Sequence, residues 1–497
     1  MNGEKSAIII GAGVGGVATA IKLAQKGYRV KVYEKNDTPG GRCGQILRDG
    51  HRFDLGATII LMPSIYRDVF ESLGLNLDES FEVKPLPEIY KLYFDDLSDF
   101  SFTTDEAKMK SQLEKLEPGS FQKLKSFVST GYKLFEYSMD ELLGRNFFKF
   151  SEFMTFKNVR LLFKIKTHIR HIDFVGRYFK DPHLKVAFTF QNIYVGQDPN
   201  KAPALFSMLP AAELTEGSFF PIGGMYRIVE KLVSTATDLG VEFFYNKPVT
   251  QIEVSKAKAE RVVFEDGTWE NADIIVANAD LPYVYHELLP DKAPAARLDK
   301  MKFSCSAIVF HWGLDRPYPQ LSHHNVFLTE PFSEGLDQIF KEKSMSARPS
   351  FYVHSPVGSD PSAAPAHQDS ISIIVPVGYM DPKKEQDWNE LKTIARTFVL
   401  ERLKKQGLED IGEHIKFEIC TLPKTWSSSL NVYRGSVFGS INHSILQMGY
   451  FRPHNKHNRY KNLYFVGGST HPGNGVPLVL LSSKLTTERI LRDAKEN

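Results

Sequence analysis

The feature that most constrains this chain is its first 34 residues. Ala7 to Ile10 is a short apolar run, the pattern of a strand buried on both faces. Gly11-Ala12-Gly13-Val14-Gly15-Gly16 follows at once. Val17, Ala20, Ile21 and Ala24 then recur at i, i+3, i+4 and i+7, so a helix starts at the glycines and buries one face. Gly27 closes it, and Tyr28, Val30 and Val32 alternate with Arg29, Lys31 and Tyr33 in a second strand ending at Glu34. This is a βαβ unit laid out to bind a dinucleotide. Gly11 permits the tight turn, Gly13 and Gly15 lie where the backbone approaches a pyrophosphate, and Gly16 lets helix pack closely on strand. Phosphates then sit at the helix N-terminus, and Glu34 accepts the ribose hydroxyls while disfavouring an added 2′-phosphate.

Length excludes a small binding module: 497 residues suffice for two or three domains or one large α/β enzyme. At 42% hydrophobic and 24% charged, the composition is that of a folded globular chain, so disordered and fibrous classes drop out. The net charge of +2 gives no reason to expect nucleic acid. Cys43, Cys305 and Cys420 are odd in number and far apart, which fits a reducing compartment and offers neither a disulfide framework nor a zinc-ligand pair. The uncharged stretch 6–21 is too short and too glycine-rich to span a bilayer, and Glu4 occupies what would be the basic region of a signal peptide. It reads as part of the fold, with no targeting segment.

After Glu34 and Lys35 come Gly40-Gly41-Arg42 and then Phe53-Asp54-Leu55-Gly56-Ala57-Thr58. With these the chain resembles the flavin-dependent amine oxidase and carotenoid desaturase superfamily. The resemblance implies non-covalent FAD, with Gly41 and Arg42 along the ribityl and pyrophosphate and Lys35, Gly56, Ala57 and Thr58 in the same site. Cys43 reads either as a flavin thioether or as a small buried thiol. Near the other end, residues 462–468 form an apolar strand closing on Gly467-Gly468, followed by Thr470-His471-Pro472-Gly473-Asn474-Gly475-Val476-Pro477. This segment is similar to the C-terminal signature of bacterial carotenoid desaturases. It implies that Gly467, Gly468, Gly475 and Val476 meet the flavin, where helix N-terminal NH groups stabilise the reduced cofactor. His471 is the candidate for acid–base chemistry, or alternatively orients its loop. In the same superfamily the position of Val249 contacts the adenine, and the strand 272–279 ends at the cofactor, at Asn278.

The fold expected is α/β: a Rossmann-like FAD-binding domain of the amine oxidase/glutathione reductase type, with an inserted α+β substrate domain. The flavin domain takes residues 1–75, 215–290 and 455–497, and the substrate domain 76–214 and 291–454. Tyr194-Val195-Gly196-Gln197-Asp198-Pro199, Leu321 to Asn325, Arg434 to Gly439 and Arg452-Pro453 also resemble carotenoid desaturases. The adjacent His323 and His324 point to opposite faces of a strand and have no ligand-spaced partner, so no metal is expected. Residues 145–180 carry nine Lys or Arg against Glu152 and Asp173, interleaved with eight phenylalanines. This basic aromatic stretch reads as a helical, membrane-facing part, or else as a solvated helix whose phenylalanines fill the core. The resemblance implies a carotenoid substrate, an unidentified electron acceptor, and a cytoplasmic protein peripherally associated with the membrane. It leans to 3,4-desaturation of a 1-hydroxycarotenoid through residues 53–63 and 322–325. Phytoene or diapophytoene desaturation is the alternative, and an amine oxidase or a non-redox isomerase is the alternative of another class.

Overall fold

Residues 7–10 sit at the centre of a parallel sheet, as a run with no polar side chain to turn toward water must. In the computed structural model, which describes residues 5–164 and 166–496, these are strand β1 (Ser6–Ile10), followed by helix α1 (Val14–Ala24) and β2 (Arg29–Tyr33). The other strands of the two large sheets are, in chain order, β3 (Glu88–Tyr93), β4 (Asp99–Thr103), β5 (Glu242–Phe244) and β6 (Ile274–Ala277). They are followed by β7 (Ser306–Leu314), β8 (His324–Phe327), β9 (Phe351–His354), β10 (Asp369–Val377), β11 (Ile415–Thr421) and β12 (Leu463–Phe465). Five of them form a parallel sheet in the order β5-β2-β1-β6-β12.

α1 is buried all round, not on one face alone. Helices α6 (Tyr226–Asp238) and α7 (Val476–Glu496) both pack against it. Even Lys22 is enclosed, its Nζ donating to Ser72 Oγ at 2.6 Å, and burial beside Lys484 lowers its pKa to about 8.

The remaining seven strands build a mixed sheet in the order β11-β7-β10-β9-β8-β3-β4. All its pairs are antiparallel except β3 with β8, which run parallel although far apart in sequence. Helices α2 (Ser120–Ser138), α4 (Gln191–Tyr194) and α5 (Met208–Glu216) contribute the facing wall, with α2 packed on α5.

The stretch 145–180 does not form one amphipathic helix. It breaks into helices Phe150–Phe153, α3 (Phe156–Lys164) and His171–Val175, with Lys166 at φ +55 between the last two. Its aromatics divide accordingly: Phe147, Phe153, Phe174 and Phe179 are buried, while Phe156 is 85% and Phe163 65% exposed. The core-filling alternative thus holds for the buried rings alone.

Candidate flavin and substrate cavity

Every glycine of the first turn surrounds one side chain. Gly11, at φ +96, donates its NH to the Tyr33 carbonyl. A Cβ on Gly13 or on Gly15 would lie 2.9 Å from the Asn278 amide, and one on Gly16 would collide with the Gly11 carbonyl oxygen. Asn278 thus fills the space the missing side chains leave, its Nδ2 donating to Gly11 O at 3.2 Å. Glu34, at the end of β2, accepts from Ala12 N at 2.8 Å and from the Asn36 backbone and side chain at 3.0 Å. Its carboxylate therefore shapes the turn as well as facing the cavity. Gly40 donates to the Ala12 carbonyl, which lays the second glycine loop over the first.

Arg42 is half-buried and donates to Val437 O at 3.0 Å. Burial lowers its pKa against the pull of Asp280, whose own carboxyl burial raises against Arg42. Gly56 passes so close to the Arg42 carbonyl that a Cβ would overlap it. Lys35 reaches the Ser428 carbonyl at 2.8 Å and Asn431 Oδ1 at 2.9 Å. Cys43 is a buried thiol donating to the Met225 carbonyl at 3.7 Å, and burial pushes its pKa up. That is the state of a small buried thiol, not of a reactive one.

One cavity of about 790 Å³ runs between the two sheets and is lined by all the expected cofactor positions except Gly16. Gly16 instead supports the turn from behind. Its lining has three parts: Pro248, Val249 and Glu265, then Gly467, Gly468, Gly475 and Val476 around the start of α7, and an apolar chamber. Phe135, Leu143, Leu205, Phe206, Val326 and Ile374 are among its walls. A flavin dinucleotide fits the first two parts. The glycine cradle leaves room for a pyrophosphate at the head of α1. Buried Asp280 Oδ1 and Asn474 Oδ1 face this space without a partner in the protein. The head of α7 supplies NH groups for negative charge on the flavin.

His471 is not among the cavity-lining residues. Its Nε2 pairs with the Arg145 carbonyl at 2.9 Å, and its own carbonyl accepts from Asn455 Nδ2 at 2.9 Å. Burial lowers its pKa to about 3. The ring ties the loop after β12 to the segment at residue 145. Among the described residues, the imidazole that does line the cavity is His443, which is buried.

Arg452 is the other residue whose weight the sequence leaves hidden. Only 1% exposed, it donates to the carbonyls of Thr470, Gly468, Ile441 and Asn442 at 2.6 to 3.2 Å. It thereby stitches the flavin loop to the 441–442 segment. Burial lowers its pKa to about 9, opposed by Asp280.

The expectation for the paired histidines also changes. His323 precedes β8, so its ring converges on that of His324, with centroids 4.4 Å apart. Strand pairing sets His354 opposite His324. One nitrogen from each of the three lies within 4.8 Å of the others. His354 Nε2 contacts His323 Nε2 at 3.1 Å, and His324 Nδ1 contacts the Tyr352 hydroxyl at 2.6 Å. Burial holds all three neutral, with His324 stacked on His354 and His323 set edge-on to His324, behind the cavity wall.

A parallel dinucleotide sheet, a glycine cradle continued by a second glycine loop, and a C-terminal helix aimed at the same cavity define an FAD-dependent oxidoreductase. Comparison with known proteins gives the family. The model of the flavin containing amine oxidoreductase family matches residues 14–491. The phytoene desaturase of Fusarium fujikuroi is 38% identical, covering 99% of this chain and 90% of that protein. The zeta-carotene-forming phytoene desaturase of Myxococcus xanthus is 37% identical over 97% and 93%. The 4,4'-diapophytoene desaturase (4,4'-diaponeurosporene-forming) of Staphylococcus aureus is 34% identical over 98% and 99%. Among solved structures, an oxidoreductase from Methanosarcina mazei superposes with a TM-score of 0.65 at 16% identity, covering 97% of this chain and 100% of that one. A putrescine oxidase triple mutant gives 0.62 at 14% identity, over 98% and 99%. The chain belongs to the flavin containing amine oxidoreductase family and has its FAD-binding fold.

Proposed function

We propose that this protein is a carotenoid desaturase of the phytoene or diapophytoene class. The observation that carries the reading is the apolar chamber opening directly onto the flavin site. The named activity of relatives aligned over nearly the whole chain supports the same reading. Bound FAD supplies a hydride acceptor for a CH–CH unit. The protein holds a long hydrocarbon in register beside it and keeps water out. Terminal 3,4-desaturation of a 1-hydroxycarotenoid is the second reading, favoured by the resemblance of residues 53–63 and 322–325.

We further propose peripheral membrane contact through two neighbouring segments. Phe150, Met154, Phe156 and Phe163 are exposed, and so are Ile445, Leu446 and Phe451. Phe150 packs against Tyr450 at 5.5 Å, which brings the two sets together. Lys149, Arg160 and Lys164 accompany them, a composition suited to an anionic lipid surface. Cavity-lining Leu142 packs directly beneath Gly449, so a lipid-borne polyene would have a short route inward. No helix among the described residues is long and apolar enough to cross a membrane.

The test mixes FAD-loaded protein anaerobically with liposomes carrying phytoene, diapophytoene or a 1-hydroxylated carotenoid, following flavin bleaching and product spectra. Bleaching and a red-shifted product with phytoene or diapophytoene support the proposal, and the same with the hydroxylated substrate alone moves it to the second reading. Bleaching with no polyene overturns both.

A further inference from the structure

Dehydrogenating a hydrocarbon releases a proton as well as a hydride, and a dry apolar chamber needs a group to receive it. Behind the chamber wall lies a carboxyl that cofactor binding does not use. Glu213, on α5, is 2% exposed. Its Oε1 accepts from the hydroxyls of Tyr194 and Tyr90, the latter at 3.3 Å, and its Oε2 from Gln191 Nε2 at 3.5 Å. Both tyrosines line the cavity. With their protons directed at Glu213, the hydroxyl oxygens have lone pairs left for a proton arriving from the chamber.

Cavity-lining His443 is a poorer acceptor. Protonating it creates a buried cation beside Arg452, which already disfavours that charge. Protonating Glu213 removes a buried charge instead. Its pKa is raised to about 8, by burial against the three hydrogen bonds.

We propose that Glu213, acting through the Tyr194 hydroxyl, takes up the proton lost by a polyene dehydrogenated in this cavity. The inference rests on the desaturase reading. One C–H bond breaks with its electron pair, leaving as hydride to the oxidised flavin, which is thereby reduced. The adjacent C–H bond breaks heterolytically: its electrons become the new π bond and its proton goes to the Tyr194 oxygen. The proton already on that oxygen passes to Glu213, turning carboxylate into carboxylic acid. Tyr194 is the group that meets the substrate, and Glu213 sets its proton affinity from behind.

The experiment uses full-length holoenzyme, wild type and the variants Glu213→Gln, Glu213→Asp and Tyr194→Phe. Each is matched for bound-flavin spectrum and thermal midpoint, then mixed anaerobically with whichever polyene liposomes bleach the wild type. Titratable groups facing Glu213 are Tyr90 from β3 and Tyr194 from α4, both with pKa raised further above 10 by burial and by Glu213 itself. A rise in rate near neutral pH therefore reports Glu213. Wild-type bleaching should quicken as pH rises and level off above about 8. Glu213→Gln keeps a hydrogen-bond acceptor for the tyrosines, and the Gln191 Oε1, unpartnered in the wild type, can accept its new NH by an amide flip. It should bleach about 100-fold more slowly, with a flat pH profile. Glu213→Asp should restore a sloping profile. A protonated-carboxyl infrared band should be present at pH 7, fade above pH 8, and be absent in Glu213→Gln. Unchanged bleaching and pH profile in Glu213→Gln overturn the proposal, and so do unchanged rates in Tyr194→Phe if Glu213→Gln does not fold. A wild type that no polyene bleaches overturns the desaturase reading instead, and this inference with it.

Discussion

Arg452 concentrates at one residue the problem of joining the flavin loop to the rest of the molecule. Its guanidinium serves at least four carbonyls that have no water to turn to. Arg452→Met keeps much of the volume but leaves those carbonyls unsatisfied, at about 1–3 kcal/mol each if none relaxes. The expected result is protein that loses FAD on gel filtration and melts several degrees lower, with Arg452→Lys intermediate. An unaltered flavin content in Arg452→Met would refute the role. At this scale the sequence is readable where function rests on missing atoms. The glycines at 11, 13, 15, 40, 41 and 56 announce a close approach because few other duties require them in that order. His443, Arg452 and Glu213 carry no such mark. Each draws its meaning from partners brought in by the tertiary fold, and a lone buried polar residue in a sequence looks like any other. The same holds for His471, whose neighbours in sequence suggest the flavin while its ring pairs with the Arg145 carbonyl.

Among the elements, β1-α1-β2 is legible because its cause is local: apolar period, glycine turn and second strand all fall within one short stretch. The seven-stranded sheet is not, since β3 pairs with β8 across more than two hundred intervening residues, and no periodicity specifies a partner so distant. The short helices around 150–164 lie between these cases. Their basic and aromatic content is plain in the sequence, whereas the division into buried and exposed rings follows from where the breaks fall. That division yields a prediction. Replacing Phe156, Phe163 and Leu446 together by serine removes exposed apolar area without touching the cavity. Cosedimentation with anionic liposomes should fall by about tenfold or more, given roughly 25 cal/mol per Å² of apolar surface removed from the lipid. Bound flavin and thermal midpoint should be unchanged, and retained cosedimentation would count against the membrane face.

Taken whole, the molecule has closed around many uncharged imidazoles. Burial lowers the pKa of His171, His323 and His471 to about 3 and of His311, His454 and His457 to about 4. It holds His324, His354 and His443 well below 6.5. In the unfolded chain each titrates near 6.5. The unfolded state therefore binds more protons throughout the window between about 6.5 and 4, so the stability these residues allow is complete above 6.5 and drains away as pH falls through that window. At pH 5 each of those with a pKa of about 3 or 4 opposes folding by about 2 kcal/mol. Asp54 and Glu213, which burial raises to about 7 and about 8, and Asp280 and Asp369, which burial also raises, act the other way, since folding then takes up protons, but the imidazoles outnumber them. Folded domains hold only about 5–15 kcal/mol in reserve. The urea midpoint of the holoenzyme should accordingly be high at pH 7.5 and collapse between pH 6.5 and 5, with a slope of several protons taken up on unfolding. Replacing His311 by glutamine, which keeps a hydrogen-bonding partner for Ser372 Oγ, should reduce that slope by about one proton. A slope of less than two protons in the wild type would mean that these imidazoles open to solvent in the folded protein, and with them the wall on which the cavity depends.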